Sequence, residues 1–345
     1  MIVPILLFAL GLVLLIKGGD WFVDAAAGIA RRFHLPELLI GATVVSIGTT
    51  LPEVMVSAQG ALSGSGDMAY GNAIGSIICN TSLIAALTIA IKPGKAERKS
   101  LIIPVCFFFG AAVFYMGVSY ITGYFSRPVG IILLTTFVVY MVTTVLRMKK
   151  TPNTSDEELE EISSGLTDDE YASLSGGKKL LAHITGKKNT IVREIIMLVI
   201  GAVIIAIGAT LLVDNGKIIA RELGVPESVI ALTFVALGTS LPELVTAITA
   251  LAKGHGALSL GNIIGANLFN LVLVSGVAVT LSPFNIPSGS VLFGQNASLV
   301  LDLPVMLGVM LILIVPTLIR QKLSRIQGIL LLCIYAAYCT IQFVM

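Results

Sequence analysis

The hydrophobic positions of this 345-residue chain form ten long apolar runs separated by short polar segments. The runs cover residues 2–30, 35–62, 69–91, 100–120, 128–146, 191–220, 226–252, 258–281, 297–319 and 323–344. Because about 20 apolar residues in a helix span the hydrocarbon core of a bilayer, each run is long enough to cross a membrane. The pattern predicts an all-α polytopic membrane protein with ten transmembrane helices.

Composition agrees with this prediction and limits the classes of function. The mean hydropathy is +0.95, and only 12% of the residues are charged. A net charge of +2 does not favour a nucleic-acid partner. The four cysteines all lie inside apolar runs without metal-site or disulfide spacing, so we expect no resident cofactor: Cys79, Cys106, Cys333 and Cys339. We interpret the chain as a membrane protein that is not an enzyme.

The distribution of lysine and arginine predicts the orientation. If the N-terminus is extracytoplasmic and the ten spans alternate, 18 basic residues lie on the cytoplasmic side and two, Arg127 and Arg221, lie outside. The remaining two, Lys17 and Lys217, lie within spans. Cytoplasmic loops carry the excess of basic residues in membrane proteins, so both termini are expected outside a cytoplasmic (inner) membrane.

An internal duplication divides the chain. Residues 28–80 align with residues 218–270 without a gap, and 20 of these 53 positions are identical. We therefore expect two five-helix repeats, 1–147 and 191–345, joined by a cytoplasmic segment, 148–190. Since five is odd, the repeats enter the membrane from opposite sides, and inverted repeats are typical of secondary transporters.

Each repeat places a carboxylate in the middle of an apolar run. Residues 46–53 read SIGTTLPE and residues 236–243 read ALGTSLPE. A charge at mid-membrane is costly and is functional by default. Pro52 lacks an N–H and its ring clashes with the carbonyl of Gly48, so we expect helices 2 and 7 to be broken here. A desolvated cation can satisfy the carbonyl groups that such a break leaves free.

A second pair of motifs follows in spans 3 and 8. Residues 71–80 read GNAIGSIICN and residues 261–270 read GNIIGANLFN. Ser76 and Asn80 share one helix face, whereas the second copy has Ala266 and Asn270 at these positions. We interpret this face as ion-ligating, and interhelical hydrogen bonding is the alternative.

Together the motifs offer a donor set made only of oxygen atoms. It contains two carboxylates, Glu53 and Glu243, and the side chains of Thr49, Thr50, Thr239, Ser240, Asn80 and Asn270. No His or Cys lies near residues 46–53 or 236–243, which argues against zinc, copper and iron and leaves Ca²⁺, Na⁺, Mg²⁺, K⁺ or H⁺. Ca²⁺ accepts six to eight mixed oxygen ligands. Two carboxylates neutralise one Ca²⁺ or two Na⁺ equally well, which suits exchange.

The doubled motifs resemble the two alpha-repeats of the cation/calcium antiporter superfamily, and the chain is similar to the prokaryotic sodium/calcium exchangers. The resemblance covers both repeats, at about 35–91 and 226–281, but not segment 148–190. It implies a monomeric secondary antiporter that exchanges Na⁺ for Ca²⁺ by alternating access and exports Ca²⁺.

The resemblance also implies roles for individual residues. Glu53 and Glu243 would bind Ca²⁺ together with the carbonyl groups of Thr49 and Thr239. The flanking Na⁺ sites and the centre would use the carbonyls of Ser46 and Ala236, the hydroxyls of Thr50, Ser76 and Ser240, and the amides of Asn80 and Asn270.

The chain departs from the family pattern at two positions. Ala266 stands where the family commonly has serine, and Asn270 stands where many prokaryotic and potassium-dependent relatives have aspartate. These departures predict transport that needs no potassium and has weaker Na⁺ activation. They also bring into question the family's usual exchange of three Na⁺ for one Ca²⁺.

Other functions fit parts of the pattern. H⁺-coupled calcium exchange is the alternative within transport, because a glutamate pair can also carry protons. Outside transport, a cation channel would need a continuous pore, and an intramembrane protease would normally use aspartates. Segment 148–190 holds eight of the 20 acidic residues, which is typical of a solvated linker. A regulatory calcium sensor there is the alternative, although no EF-hand spacing is present.

Overall fold

The computed structural model describes residues 2–33, 35–148, 191–223 and 238–344. Nine helices in this part of the chain are long and apolar enough to cross a membrane. They are α1 (Ile2–Arg32), α2 (Glu37–Leu62), α3 (Gly66–Ile91), α4 (Arg98–Ile121), α5 (Arg127–Met148), α6 (Ile191–Glu222), α8 (Gly256–Leu281), α9 (Ser298–Arg320) and α10 (Arg325–Val344). A shorter helix, α7 (Leu241–Ala252), lies in the seventh predicted span.

These helices confirm the predicted all-α polytopic fold. The first half of the seventh span, the residue Ala236 and nearly all of segment 148–190 lie outside the described residues. Predictions about the break at residues 236–237, about the linker and about a calcium sensor therefore stay predictions.

The long helices α1 and α6 pack against each other in antiparallel directions. A Cβ atom on Gly11 would lie 2.8 Å from the carbonyl oxygen of Gly208, and one on Gly201 would lie 3.0 Å from that of Gly18. In the 190-residue offset of the repeats, Gly11 corresponds to Gly201 and Gly18 to Gly208. The two contacts are thus equivalent across the inverted repeats, and glycine is needed where the backbones approach this closely.

Short strands join the loops at one end of the helix bundle. The strand β1 (Tyr124–Phe125), between α4 and α5, pairs antiparallel with β2 (Phe284–Asn285), between α8 and α9. The same loop after α8 forms a hairpin from β3 (Val291–Leu292) and β4 (Gln295–Asn296). Phe284 also packs on Gly66 at the start of α3. In the predicted topology, all of these loops lie on the extracytoplasmic side of the membrane.

Ionic and backbone contacts join the chain segments at the opposite end. Lys95 and Lys322 form a backbone bridge between the α3–α4 and α9–α10 loops. His255, in the α7–α8 connection, lies 2.7 Å from a carboxylate oxygen of Glu37 at the start of α2. The Arg32 side chain at the end of α1 pairs with Glu194 at the start of α6, 3.2 Å away. These contacts gather the predicted cytoplasmic segments at one end.

The helices α3 and α8 are the most buried spans and form the centre of the bundle. The first half of α2 lies directly against α8, where Gly261 contacts Leu38 and Gly265 contacts Ala42. Ala42 is held from a third side by Tyr140 of α5, whose hydroxyl donates to the Ala42 carbonyl at 2.7 Å. In the second copy of the motif, Gly261 and Gly265 thus allow a close approach of two helices.

Four of the described helices contain a wider, π-helical turn. The turn Gly41–Val45 lies in α2 just before the first motif, Asn80–Ala85 lies in α3, Asn270–Val274 in α8 and Ser298–Asp302 in α9. The turns in α3 and α8 begin at equivalent repeat positions. Such turns leave backbone groups without their regular partners and are frequent at functional sites.

The helix interruption takes different forms in the two copies. In the second copy a turn at residues 238–240 precedes α7. In the first copy the regular α-helix is interrupted by the π-helical turn Gly41–Val45, and the α-helix Ser46–Leu62 then continues through Pro52. The predicted interruption of helix 2 is thus present, but it lies before Gly48 and not at it. A continuous helix loses only the hydrogen bond that Pro52 cannot donate to the Gly48 carbonyl, whereas a full break inside a bilayer would leave several backbone groups unsatisfied.

Candidate cation site

The two motif glutamates lie at the centre of the molecule. The side chains of Glu53 and Glu243 are both 0% exposed, and they are close enough to interact electrostatically. In the described part of the chain, none of their four carboxylate oxygens has a hydrogen-bond partner. An uncompensated buried charge is expensive, so a pair of them demands cations or protons.

Local sequence positions each carboxylate differently. Glu243 lies in the first turn of α7, after Ser240 at the N-cap and beside Pro242, which fits a first helical turn. The positive end of the helix dipole favours a carboxylate at this position. Glu53 instead follows Pro52 inside α2, one turn beyond the Gly48 carbonyl that lacks its helical donor. Each glutamate is therefore next to a backbone irregularity.

Asn80 and Asn270 begin the π-helical turns of α3 and α8. Both residues are 0% exposed, and neither their amide oxygens nor their amide nitrogens have a partner among the described residues. Buried amide groups are normally hydrogen-bonded, and their oxygen atoms are suitable ligands for hard cations. Both predicted central asparagines thus bring free polar groups into the buried interior.

The four hydroxyl groups that directly follow the motif glycines, Gly48 and Gly238, fall into two classes. Those of Thr50 and Ser240, at equivalent repeat positions, are buried without a partner in the described structure. Those of Thr49 and Thr239, also equivalent, donate to the side-chain oxygens of Asn262 and Asn72, each at 3.2 Å. The donor count from the residues alone included all four hydroxyls, whereas the resemblance assigned the hydroxyls of only Thr50 and Ser240 to the ions. Of the four, these two are the ones without a partner in the described structure.

Ser46 is buried and is held by α8 as well as by its own helix. Its hydroxyl lies 2.8 Å from the Gly41 carbonyl, 2.9 Å from the Asn262 carbonyl and 3.3 Å from Asn262 Oδ1. Ser76 is 3% exposed, and its counterpart Ala266 is fully buried. The second copy therefore has no hydroxyl at this position.

The donor set fits a hard cation cargo. The buried groups without a partner in the described structure include the two carboxylates of Glu53 and Glu243 and the neutral oxygens of Thr50, Ser240, Asn80 and Asn270. Among the described residues there is no cluster of three His, Cys, Asp or Glu side chains that could hold a metal. Two carboxylates among neutral oxygens suit Ca²⁺ or Na⁺ better than a soft transition metal.

Sequence reasoning missed three residues that organise this site. Asn72 and Asn262 were noticed only as part of a recurring motif, yet each contacts the opposite repeat. Their conserved spacing in both repeats was the available signal. Tyr140 of α5 supports the π-helical turn of α2, and no signal in the sequence distinguished it.

Comparison with known proteins gives consistent matches over nearly the whole chain. The model of a family described as sodium/calcium exchanger protein matches residues 3–146 and 193–344. The sodium/calcium exchanger MaX1 of Methanosarcina acetivorans is 30% identical over 365 positions, covering 99% of both chains. An uncharacterized membrane protein of Methanocaldococcus jannaschii is 34% identical over 333 residues, covering 95% of this chain and 94% of its own.

The fold is also similar to a solved exchanger. The structure of the sodium-calcium exchanger NCX_Mj, soaked with Na⁺ and Sr²⁺, superimposes with a TM-score of 0.74 at 30% identity and covers 97% of each chain. The same protein soaked without Na⁺ and Ca²⁺ gives a TM-score of 0.73. Both matches include the two repeats that carry the glutamates.

Proposed function

Because the chain belongs to the sodium/calcium exchanger family, we propose that it is a secondary active antiporter that exchanges Na⁺ for Ca²⁺ across a membrane. The observation that carries this proposal is the pair of buried carboxylates, Glu53 and Glu243, whose oxygens have no partner in the described protein. On this proposal the chain is a transporter rather than an enzyme. Its substrates are Na⁺ and Ca²⁺, and it works as a monomer without a cofactor.

Charge balance explains how one site serves both ions. One Ca²⁺ or two Na⁺ neutralise Glu53 and Glu243, so one cargo can replace the other without leaving a net buried charge. The empty site would hold two unpaired carboxylates in the interior, and this penalty would suppress a change of access without cargo. Coupled exchange follows from this suppression. Movement of Na⁺ down its gradient then exports Ca²⁺.

The remaining predicted ligands complete the site in this proposal. The carbonyls of Thr49 and Thr239 face the Ca²⁺ position, while the free hydroxyls of Thr50 and Ser240 serve the flanking Na⁺ positions. Ser46, Ala236 and Ser76 add further oxygens to the Na⁺ positions, and the amides of Asn80 and Asn270 line the centre. The coexistence of free and paired hydroxyls supports this division of roles.

The test is uptake of ⁴⁵Ca²⁺ into proteoliposomes. Vesicles loaded with Na⁺ and diluted into Na⁺-free buffer should accumulate ⁴⁵Ca²⁺, and loading with choline instead should abolish uptake. A protonophore should leave the Na⁺-driven flux intact. Uptake that is independent of Na⁺ and is driven by a pH gradient would instead identify H⁺-coupled exchange. Single-channel currents in a planar bilayer would identify a channel.

The same proposal includes an orientation in the inner membrane. Both termini lie outside, and segment 148–190 is cytoplasmic, as the basic-residue distribution predicts. We expect a cysteine introduced as Ser163→Cys in a cysteine-free background to react with a membrane-impermeant thiol reagent only after permeabilisation. Labelling in intact cells would contradict this topology.

A further inference from the structure

Two hydrogen bonds cross between the repeats at equivalent positions. The hydroxyl of Thr49, on α2, donates to Oδ1 of Asn262 on α8, and the hydroxyl of Thr239, just before α7, donates to Oδ1 of Asn72 on α3. Both distances are 3.2 Å. Thr49 corresponds to Thr239 and Asn72 to Asn262 in the 190-residue offset, so the same contact occurs twice across the pseudo-twofold axis.

Each asparagine also holds a second part of the site. The Asn72 amide nitrogen donates to the backbone carbonyl of Glu53 at 3.1 Å and to the Ser57 hydroxyl at 2.8 Å. Asn72 therefore connects the backbone of one glutamate to the motif threonine of the other repeat. Asn262 similarly accepts from Thr49 and lies within hydrogen-bond distance of Ser46.

These bonds determine which way each motif threonine presents its polar groups. A threonine hydroxyl that donates to a neighbouring helix fixes the side-chain rotamer and the register of its backbone against that helix. Thr49 is 2% exposed and Asn262 is 0% exposed, so water does not replace the bond. The loss of one partner from such a buried pair leaves the other unsatisfied.

We propose that Asn72 and Asn262 are positioning residues that hold the two halves of the cation site at a fixed separation. They act through Thr239 and Thr49 and do not touch the cation. This inference rests on the proposed transport function, because that function has the backbone carbonyls of Thr49 and Thr239 bind the transported Ca²⁺. Because each bond joins one repeat to the other, it sets the distance between the carbonyls that face the ion from opposite sides.

A double-mutant cycle tests the Thr49–Asn262 bond. Thr49→Val and Asn262→Leu each remove one partner with little change in volume, and each should raise the Ca²⁺ concentration for half-maximal ⁴⁵Ca²⁺ uptake by about tenfold. The double variant should be no worse than either single variant, because two apolar groups then meet and no buried partner is stranded. Thr49→Ser keeps the hydroxyl and should retain wild-type affinity.

Thr43→Val is the matched control. Thr43 lies in the same helix and is 2% exposed, but among the described residues its hydroxyl donates only to the Leu39 carbonyl of its own helix. Its half-saturating Ca²⁺ concentration should stay within about twofold of wild type. Thermal unfolding without ions, recorded for every variant, separates a general loss of stability from a change in the site.

The outcomes separate this inference from the transport proposal. If wild-type vesicles show no Na⁺-driven uptake, both the transport proposal and the inference fall. If wild type transports but the effects of Thr49→Val and Asn262→Leu multiply, the residues act independently and the inference alone is wrong. The same holds if Thr49→Ser loses affinity as Thr49→Val does. Should Asn262→Leu not fold, two comparisons decide the question: Thr49→Ser against Thr49→Val, and Thr239→Ser against Thr239→Val. Asn72→Leu is not used, because it would also remove the bonds to the Glu53 carbonyl and the Ser57 hydroxyl.

Discussion

In the first repeat the helix that carries Glu53 continues through Pro52, whereas in the second repeat a turn at residues 238–240 precedes the helix that carries Glu243. The partners of the two bridging asparagines also differ. The Asn72 amide nitrogen donates to Glu53 and Ser57, but the Asn262 amide nitrogen is buried without a partner among the described residues. Ala247 stands where the first repeat has Ser57.

The comparison separates the features that both halves of the site share from those that only one half has. Both repeats keep the glutamate, the asparagine that starts a π-helical turn and the threonine–asparagine bond between repeats. Only the first keeps hydroxyls at Ser46, Ser57 and Ser76. In the proposed mechanism, the shared features supply the charge and the geometry of the cation site, whereas the unshared hydroxyls adjust its surroundings. Substitutions at shared positions should therefore have the larger effects.

The largest effect is expected at the two glutamates. Glu53→Gln and Glu243→Gln each remove one of two charges that bind a divalent cation, and each should reduce Na⁺-driven ⁴⁵Ca²⁺ uptake by at least about 100-fold, since charged pairs in buried sites contribute several kcal/mol. Glu37→Gln, the same change near the start of α2, should leave uptake within about twofold, because Glu37 is partly exposed and pairs only with His255 in the described structure. A glutamine variant with near-normal uptake would refute the site.

The spans were predictable because the thickness of the bilayer fixes helix length. The run at 100–120 became Arg98–Ile121 and the run at 128–146 became Arg127–Met148. The buried glutamates were predictable because a charge inside an apolar run is conspicuous.

The contacts between repeats were not predictable in the same way. The Thr49–Asn262 bond joins residues 213 positions apart, and only the packing of α2 on α8 brings them together. The continuity of α2 through Pro52 also depends on tertiary structure. A proline weakens a helix locally, but Thr50 and Glu53 on either side of Leu51 and Pro52 are buried, and the helix continues to Leu62.

A smaller effect is expected from adding charge to the centre. Wild-type exchange should need no potassium, because Asn270 contributes a neutral amide. Asn270→Asp adds a third carboxylate, which an extra proton or monovalent cation would neutralise, so its exchange should gain a dependence on potassium or on pH. The assay is Na⁺-driven ⁴⁵Ca²⁺ flux with and without potassium on both sides at a clamped potential. Asn80→Asp tests the equivalent position, and a potassium requirement in wild type would contradict this explanation of Asn270.

The missing hydroxyl at Ala266 should affect Na⁺ rather than Ca²⁺. Ala266→Ser restores the side chain present at Ser76 and should lower the Na⁺ concentration for half-activation by about two- to fivefold, because one neutral ligand contributes about 0.5–1 kcal/mol. Ser76→Ala should shift this concentration in the opposite direction. If Ala266→Ser changes the half-saturating Ca²⁺ concentration as strongly as that of Na⁺, the hydroxyl serves both ions, and the separation of the sites is wrong.

The smallest effect concerns the bridging asparagine of the second repeat. Asn262 Nδ2 and the hydroxyl of Ser259 are both buried without a partner in the described part of the protein, and Ala247 is fully buried. In the first repeat, the equivalent Ser57 accepts from Asn72 at 2.8 Å and lies 3.5 Å from the carbonyl of Ala69, the counterpart of Ser259. Ala247→Ser should therefore give Asn262 the partner that Asn72 already has.

We expect Ala247→Ser to stabilise the protein by about 1 kcal/mol, the typical net value of a buried hydrogen bond, and to raise the midpoint of thermal unfolding by about 2 °C. Ser57→Ala should lower that midpoint by a similar amount, because it removes one of the two acceptors of the Asn72 amide nitrogen. Ala250→Ser, one turn along the same buried face of α7, is the matched control. It should not raise the midpoint of thermal unfolding, because position 250 is not equivalent to Ser57 and its new hydroxyl is not expected to meet the amide of Asn262. If Ala247→Ser destabilises the protein while Ser57→Ala is neutral, the two repeats do not hold their bridging asparagines in equivalent ways. The pseudo-symmetry of the site would then include the threonine–asparagine bonds but not the contacts of the asparagine amide nitrogens.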